Sequence, residues 1–294
     1  MHLYLVDASL YIFRAWHSLP ADQFLDADGW PANAVHGFAR FLLELLERER
    51  PEYIAVAFDQ ALETSFRNEL YPPYKANREP APEHLKRQFG LCQEFTAALG
   101  LTVLGDERYE ADDLIGTLLA RQRPHGFTGI VVSADKDLSQ LLGPGDIQWD
   151  YARQQRWDAA GVKQRYGVHA HQVADFLGLA GDASDNIPGV PGIGNKTAAA
   201  LLEHFGSLDT LLSRVDELPF LRLRGAAAHA RRLREHAELA LLSRRLATIA
   251  CDAPIPAAVG DARRSAGAAA ALQDILDRAQ FGPMTRRRVL QQLD

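Results

Sequence analysis

Leu3-Tyr4-Leu5-Val6-Asp7 is an unbroken apolar run that ends in an aspartate, and Tyr53-Ile54-Ala55-Val56-Ala57-Phe58-Asp59 repeats the pattern. Ile130-Val131-Val132 follows suit, with Ser133 and Ala134 before Asp135. Runs this short and apolar throughout suit strands of a parallel sheet covered on both faces. Amphipathic stretches lie between them. Ala34 to Arg50 sets Val35, Phe38, Leu42, Leu45 and Leu46 on one side and stops at Pro51, and Glu83 to Leu99 and Asp112 to Arg121 read the same way. Strand and helix in alternation predict an α/β fold.

Two regions depart from this rhythm. Residues 60–82 carry Arg67, Lys75 and Arg78 among Tyr71, Tyr74 and four prolines, without an apolar period, which predicts an exposed, irregular excursion over the sheet edge. Beyond residue 160 the chain turns helical, at 160–178, 195–205, 207–214 and 226–245, and 253–271 reads as a loose connection to a final helix.

Composition excludes several classes. With 294 residues, 47% hydrophobic and 24% charged, the chain can bury a real core and is no disordered tail. No apolar run approaches the ~20 residues of a membrane helix, and the first ten residues lack a signal-peptide pattern. Cys92 and Cys251 cannot form a metal-binding cysteine cluster and read as buried free thiols in a reducing, cytoplasmic setting. Net charge is −6, yet residues 186–294 hold 15 Lys and Arg against 11 Asp and Glu. The excess of acid lies in the first part, where divalent cations could offset it and leave the protein able to bind phosphate.

Asp7, Asp59 and Asp135 end or follow strands, and in open α/β sheets ligands bind beyond the carboxyl ends of strands. Further acids join them. Glu110, Asp112 and Asp113 open a helix, Asp137 follows Asp135, and Asp182 and Asp185 flank Ala183-Ser184. An acid after a strand often starts a turn or caps a helix. Nine together at one rim would instead repel one another until some protonated, unless cations neutralised them. All-oxygen donors without His or Cys select Mg²⁺, with Mn²⁺ the alternative. Two such ions are a standard device for phosphodiester hydrolysis.

Gly189-Val190-Pro191-Gly192-Ile193-Gly194-Asn195-Lys196-Thr197 leads into an alanine-rich helix. Asn195 separates Gly194 from Lys196 and no strand precedes the loop, which excludes a P-loop NTPase. What remains is a helix-hairpin-helix at about 186–205, a sequence-independent grip on a DNA backbone through amides at a helix N-terminus.

Val6-Asp7, Phe58-Asp59, Ser65-Phe66-Arg67, Tyr74-Lys75-Ala76-Asn77-Arg78, Tyr109 to Asp113, Ala134 to Asp137 and Gly181 to Thr197 together resemble the 5′-nuclease domain of bacterial DNA polymerase I. That domain belongs to the flap endonuclease superfamily. Gln280-Phe281-Gly282 is similar to part of the family's last helix, and with no polymerase segment following, the expectation is a stand-alone relative. The resemblance implies a PIN-like, Rossmann-like, mostly parallel sheet flanked by helices over 1–160, with 60–82 as a basic arch. It implies a helical DNA-binding region over 161–294.

The resemblance also implies roles. Asp7, Asp59, Glu110 and Asp112 would bind one metal ion, with Asp113 beside them as ligand or catalytic acid. Asp135, Asp137, Asp182 and Asp185 would bind a second. Lys75 and Arg78 would stabilise the scissile phosphate. Phe13, Arg14, Arg67, Tyr74, Gly189, Gly192, Gly194, Lys196 and Thr197 would contact DNA, and the hairpin would hold K⁺. The expected activity is metal-dependent 5′-3′ exonuclease and 5′-flap endonuclease cleavage in DNA replication and repair. The expected partner is DNA with 5′ ends, flaps, nicks or branches, met by a monomer without membrane contact. A junction binder without catalysis and a PIN-type ribonuclease are the alternatives.

Overall fold

The computed structural model describes residues 1–60 and 64–293, so residues 61–63 of the predicted excursion lie outside it. Six strands among the described residues form one sheet: β1 (His2–Asp7), β2 (Tyr53–Asp59), β3 (Thr102–Asp106), β4 (Thr128–Val132), β5 (Ile147–Asp150) and β6 (Gln155–Trp157). Their order is β3-β2-β1-β4-β5-β6, parallel except for the β5–β6 pair. The chain moves outward from β1 through β2 to β3, then returns to the other side of β1 for β4. The crevice between the ends of β1 and β4 is therefore a topological switch point, where α/β sheets place their ligands.

Alternation along the strands splits the core. Tyr4, Val6, Ile54, Val56, Phe58, Ile130 and Val132 face α1 (Ala8–Ser18), α2 (Asn33–Glu49) and α4 (Glu83–Ala98). Leu3, Leu5, Ala55, Ala57 and Val131 face α5 (Ala111–Gln122). Helix α2 ends where Arg50 turns left-handed (φ 45°) ahead of Pro51. The short α3 (Phe66–Leu70) lies between β2 and α4.

The second half is helical: α6 (Ala159–Tyr166), α7 (Val173–Ala180), α8 (Asn195–Phe205), α9 (Leu208–Ser213), α10 (Ala226–Glu235) and α11 (Ala237–Ala247). Val162, Val173, Leu177, Leu201, Leu208, Leu233 and Leu246 join the core on the α5 face, so the helical region and the sheet share one apolar interior. After a mostly irregular strap, α12 (Ala269–Arg278) and α13 (Pro283–Leu290) pack on the opposite sheet face through Leu272, Ile275, Leu276 and Val289.

Some expectations are corrected. The helix read over 160–178 is two, because Gly167 at φ 79° terminates α6. The one read over 226–245 breaks at His236, whose backbone leaves the helical region (φ −123°). Gln280-Phe281-Gly282 joins two helices and lies in neither. Cys92 is buried, but Cys251 is exposed. The described part of the excursion is continuously exposed over 76–80 but not throughout; Ser65, Arg67 and Tyr74 are buried, so its base is built into the fold.

Candidate functional site

Asp7 at the end of β1 accepts from the backbone N–H of Leu10 (3.2 Å), capping α1, and from the Ser133 hydroxyl (2.8 Å). It thereby joins the ends of β1 and β4. Asp59 ends β2 and accepts from the Ala111 N–H (2.8 Å), which fixes the start of α5 against the sheet. Glu110, at the N-cap of α5, accepts from Lys75 Nζ (2.8 Å) and from the Tyr74 hydroxyl (3.1 Å). Lys75 sits in the left-handed region (φ 54°), a conformation costly for a side-chain-bearing residue and retained by surrounding contacts. Its N–H donates to the Asp185 carbonyl (2.9 Å).

The turn after β4 is held from below. Gln148, fully buried on β5, donates to the carbonyls of Ser133 and Asp135, and its own carbonyl oxygen accepts from Ser139 (2.6 Å). Lys136 pairs with Asp182 and lies 3.4 Å from Asp137. Asp185 pairs with Arg78, accepts from Tyr74 (3.3 Å), and lies 3.7 Å from Lys75 Nζ. Asp182 is set by a tight loop in which it and Ile187 exchange backbone hydrogen bonds (2.9 and 2.8 Å).

The acids influence one another strongly. Burial, then Asp59 and Asp135, push the Asp7 carboxyl up to about 7. Burial followed by Asp135, Asp7 and Asp59 raises Asp112 well above the usual range. Burial, Asp135, Asp182 and Asp185 push Asp137 up to about 7, and one of its oxygens is buried without a hydrogen-bond partner. Asp135 faces solvent on one side, while the protein behind it and then Asp185 raise its carboxyl. Burial alone would raise Asp182, but hydrogen bonds from Lys136 and Ser184 hold it low. Among the described residues no three acids, His or Cys stand as a closed metal cage. The acids form an array bridged by Lys75 and Lys136, which is looser than the cage the sequence predicts. Its all-oxygen donors and mutual repulsion, with one buried Asp137 oxygen met only by the Lys136 ammonium at 3.4 Å, fit hard divalent cations.

Comparison with known proteins places this geometry. Residues 2–167 match the model of the 5′-3′ exonuclease N-terminal resolvase-like domain, and residues 168–269 match that of the 5′-3′ exonuclease C-terminal SAM fold. The chain belongs to the 5′-3′ exonuclease family. It is 41% identical to the DNA polymerase I of Bacillus caldotenax over 265 residues, covering 88% of this chain and 29% of that protein. It is 34% identical to that of Caldicellulosiruptor bescii over 293 residues, 98% of this chain and 33% of that protein. The chain thus spans about a third of these relatives. A zinc-bound 5′-exonuclease of bacteriophage T5 has the same fold at TM-score 0.69 and 19% identity, each chain covering all of the other. The catalytic core of Rad2 in complex with DNA substrate superposes at TM-score 0.64 and 13% identity, over 100% of this chain and 92% of that one.

Within this family member several predicted site residues sit elsewhere than expected. Asp113 is fully buried, and both its oxygens are engaged by Arg67 (2.7 and 2.8 Å), which removes it from the ligand array. Arg67, 3% exposed, is correspondingly no DNA contact. Tyr74 is also 3% exposed, its hydroxyl spent on Glu110 and Asp185. Gly189 (φ 60°) is buried, and a Cβ there would lie 2.3 Å from the Gly181 nitrogen; its close approach is to its own chain. Gly192 is exposed under the Arg232 guanidinium, which donates to its carbonyl (3.2 Å). Gly194 caps α8 over open space, and Lys196 is exposed with Thr197 half-buried behind it.

Phe13 packs edge-on against Phe89 (5.4 Å) and lines a cavity of about 690 Å³ with Asp59, Lys75, Arg78 and Lys86. Arg14 lies on a separate groove beside Arg40 and Glu44, away from that cavity. Ser133, Lys136, Gln148 and Phe89 are site residues that the sequence reading passes over. The sharpest missed signal is Gln148, a polar residue inside a strand.

Proposed function

We propose that this chain is a metal-dependent, structure-selective 5′ nuclease that cleaves DNA phosphodiesters as a 5′-3′ exonuclease and a 5′-flap endonuclease. The observation that carries this reading is the array of mutually repelling acids at the β1–β4 switch point, faced by Lys75 and Arg78 at the mouth of a cavity. Asp7, Asp59, Glu110 and Asp112 would hold one Mg²⁺, or Mn²⁺, and Asp135, Asp137, Asp182 and Asp185 a second. When bound, the ions supply an activated water and charge stabilisation of the leaving oxygen.

The chain's own residues do the rest. Lys75 and Arg78 bind the scissile phosphate and offset the charge that develops on it. The strand's 5′ end occupies the cavity whose wall Phe13 and Phe89 form together, with Lys86 on its backbone. Amides at the start of α8 and the Lys196 ammonium hold duplex phosphates, with K⁺ on hairpin carbonyls as an added positive point. These contacts read backbone and shape, so sequence preference is weak and affinity falls with salt. The substrates are flapped, nicked or branched duplexes, and the protein acts as a monomer in the cytoplasm, in replication and repair. No helix among the described residues is long and apolar enough to cross a membrane.

A flapped DNA duplex labelled at its 5′ end tests the proposal. Mg²⁺ should release a short labelled product, chelator should stop release, and Asp135→Ala should bind without cutting. Retention of the flap uncut under both conditions would make the chain a junction binder. Faster cutting of single-stranded RNA would make it a ribonuclease.

A further inference from the structure

The site described so far has two groups of acids on different elements, and a third structure touches both. This is the segment that leaves α11, residues 246–250. Arg67 donates from Nε to the Leu246 carbonyl (2.7 Å) and from Nη2 to that of Thr248 (2.9 Å), while its fork engages Asp113. Asp113 in turn accepts from the Ala250 N–H (2.8 Å) and from the Glu110 N–H (3.1 Å). One buried ion pair thus ties the base of the arch, the first turn of α5 and the segment after α11.

The same segment reaches the second group through Gln140. Its side chain accepts from the Ile249 N–H (3.0 Å) and donates to the carbonyls of Ala247 (3.0 Å) and Asp137 (3.0 Å). One turn earlier on α11, Ser243 supports the hairpin by accepting from the Gly189 N–H (3.0 Å). A path of direct hydrogen bonds therefore runs from hairpin to α11 to segment 246–250. There it divides, through Arg67 and Asp113 to Glu110, and through Gln140 to Asp137.

We infer that Arg67, Asp113 and Gln140 are positioning residues that use segment 246–250 as a common anchor to set both groups of acids in register with the duplex-binding hairpin. The inference rests on the nuclease reading and deepens it. Burying an ion pair costs desolvation that its attraction scarcely repays, so stability alone is a weak reason to keep one. Geometry is a better reason. Arg67 makes four directional hydrogen bonds that join its own segment to two others, α5 and 246–250, which a point charge or an apolar side chain cannot reproduce. None of the three side chains lines the cavity next to Lys75 and Arg78, so each acts through the acids it holds.

Two variants test this by different branches. Arg67→Lys keeps a charge for Asp113 but loses the bidentate fork and a carbonyl contact. Gln140→Leu cuts the other branch at a partly exposed position and leaves the ion pair whole. Three readouts are taken: steady-state cleavage of a 5′-flap duplex in Mg²⁺, binding of that duplex in chelator, and amide exchange over residues 110–113, 135–138 and 246–250. The expected result for Arg67→Lys is a fall in kcat of about 100-fold, the scale of a displacement near 1 Å. KM and duplex affinity stay unchanged, and exchange rises at 110–113 and 246–250. Gln140→Leu should lower kcat likewise, with exchange rising at 135–138.

Unchanged kcat in a folded variant overturns the inference, as does a loss of kcat matched by an equal loss of duplex affinity. If Arg67→Lys does not fold, Gln140→Leu decides alone. If the unaltered protein fails to cut DNA, the nuclease reading falls by itself, and the exchange pattern still judges whether segment 246–250 anchors both groups.

Discussion

Replacing Asp7 with Asn should stabilise the metal-free protein at pH 8, although Asp7 caps a helix and is proposed as a metal ligand. Asn accepts from the Leu10 N–H as well as Asp does and can keep the Ser133 contact, so the local structure survives. What changes is charge. Burial and the neighbouring Asp59 and Asp135 carboxylates lift Asp7 from its ordinary 3.8 to about 7. The folded state therefore holds a proton that the unfolded state has released, and stability falls as pH rises from about 4 to 7. A displacement of that size corresponds to at most about 4 kcal/mol. Water entry and rearrangement of the neighbouring acids leave about half, on the order of 2 kcal/mol. In a chain of this length that raises the melting temperature by roughly 4–8 °C. Circular-dichroism melts in chelator at pH 8 and pH 5 read it directly. The variant should melt higher at pH 8, the gap should narrow by more than half at pH 5 and close only near pH 4, and added Mn²⁺ should stabilise the unaltered protein more than the variant. A variant that melts lower at pH 8, or a gap independent of pH, would refute the reasoning.

Other perturbations separate the parts. Lys75→Ala should lower kcat on flap DNA by about 100-fold or more, with binding in chelator retained, as removal of a transition-state contact predicts. Asp113→Ala strands the buried Arg67 charge and should cost about 3–5 kcal/mol in a chemical denaturation series, well beyond any surface substitution. Gly189→Ala places a Cβ 2.3 Å from the Gly181 nitrogen and should open the loop that sets Asp182 and Asp185, lowering both melting temperature and cleavage. Gly192→Ala meets the Arg232 side chain at 2.7 Å in a left-handed turn and should weaken duplex binding in chelator while cutting of single-stranded ends persists.

Much of the sheet was legible because β1, β2 and β4 are central and covered on both faces, which demands unbroken apolar runs. Strands β3, β5 and β6 escaped the reading for opposite reasons. β3 and β6 are edge strands with exposed positions, and β5 carries Gln148 and Asp150 buried in polar networks. The gathering of Asp7, Asp59, Asp112, Asp135 and Asp137 was visible in strand-end placement, since topology decides which carboxyl ends meet. The fate of Asp113 was not. It is one residue from Asp112, and only the turn of α5 that aims it at Arg67 distinguishes the pair. Lys75 and Tyr74 share one peptide bond and both line the cavity, yet Tyr74 is 3% exposed with its hydroxyl turned to Glu110 and Asp185. For Gly189 the sequence announces a close approach but leaves open what is approached.

Crystals soaked in Mn²⁺ and measured at the manganese edge address the account most directly. Two anomalous peaks are predicted, one among Asp7, Asp59, Glu110 and Asp112, the other among Asp135, Asp137, Asp182 and Asp185, with Lys75 and Lys136 withdrawn from their present partners. Peaks confined to other surfaces, or none with the lysine bridges intact, would contradict it.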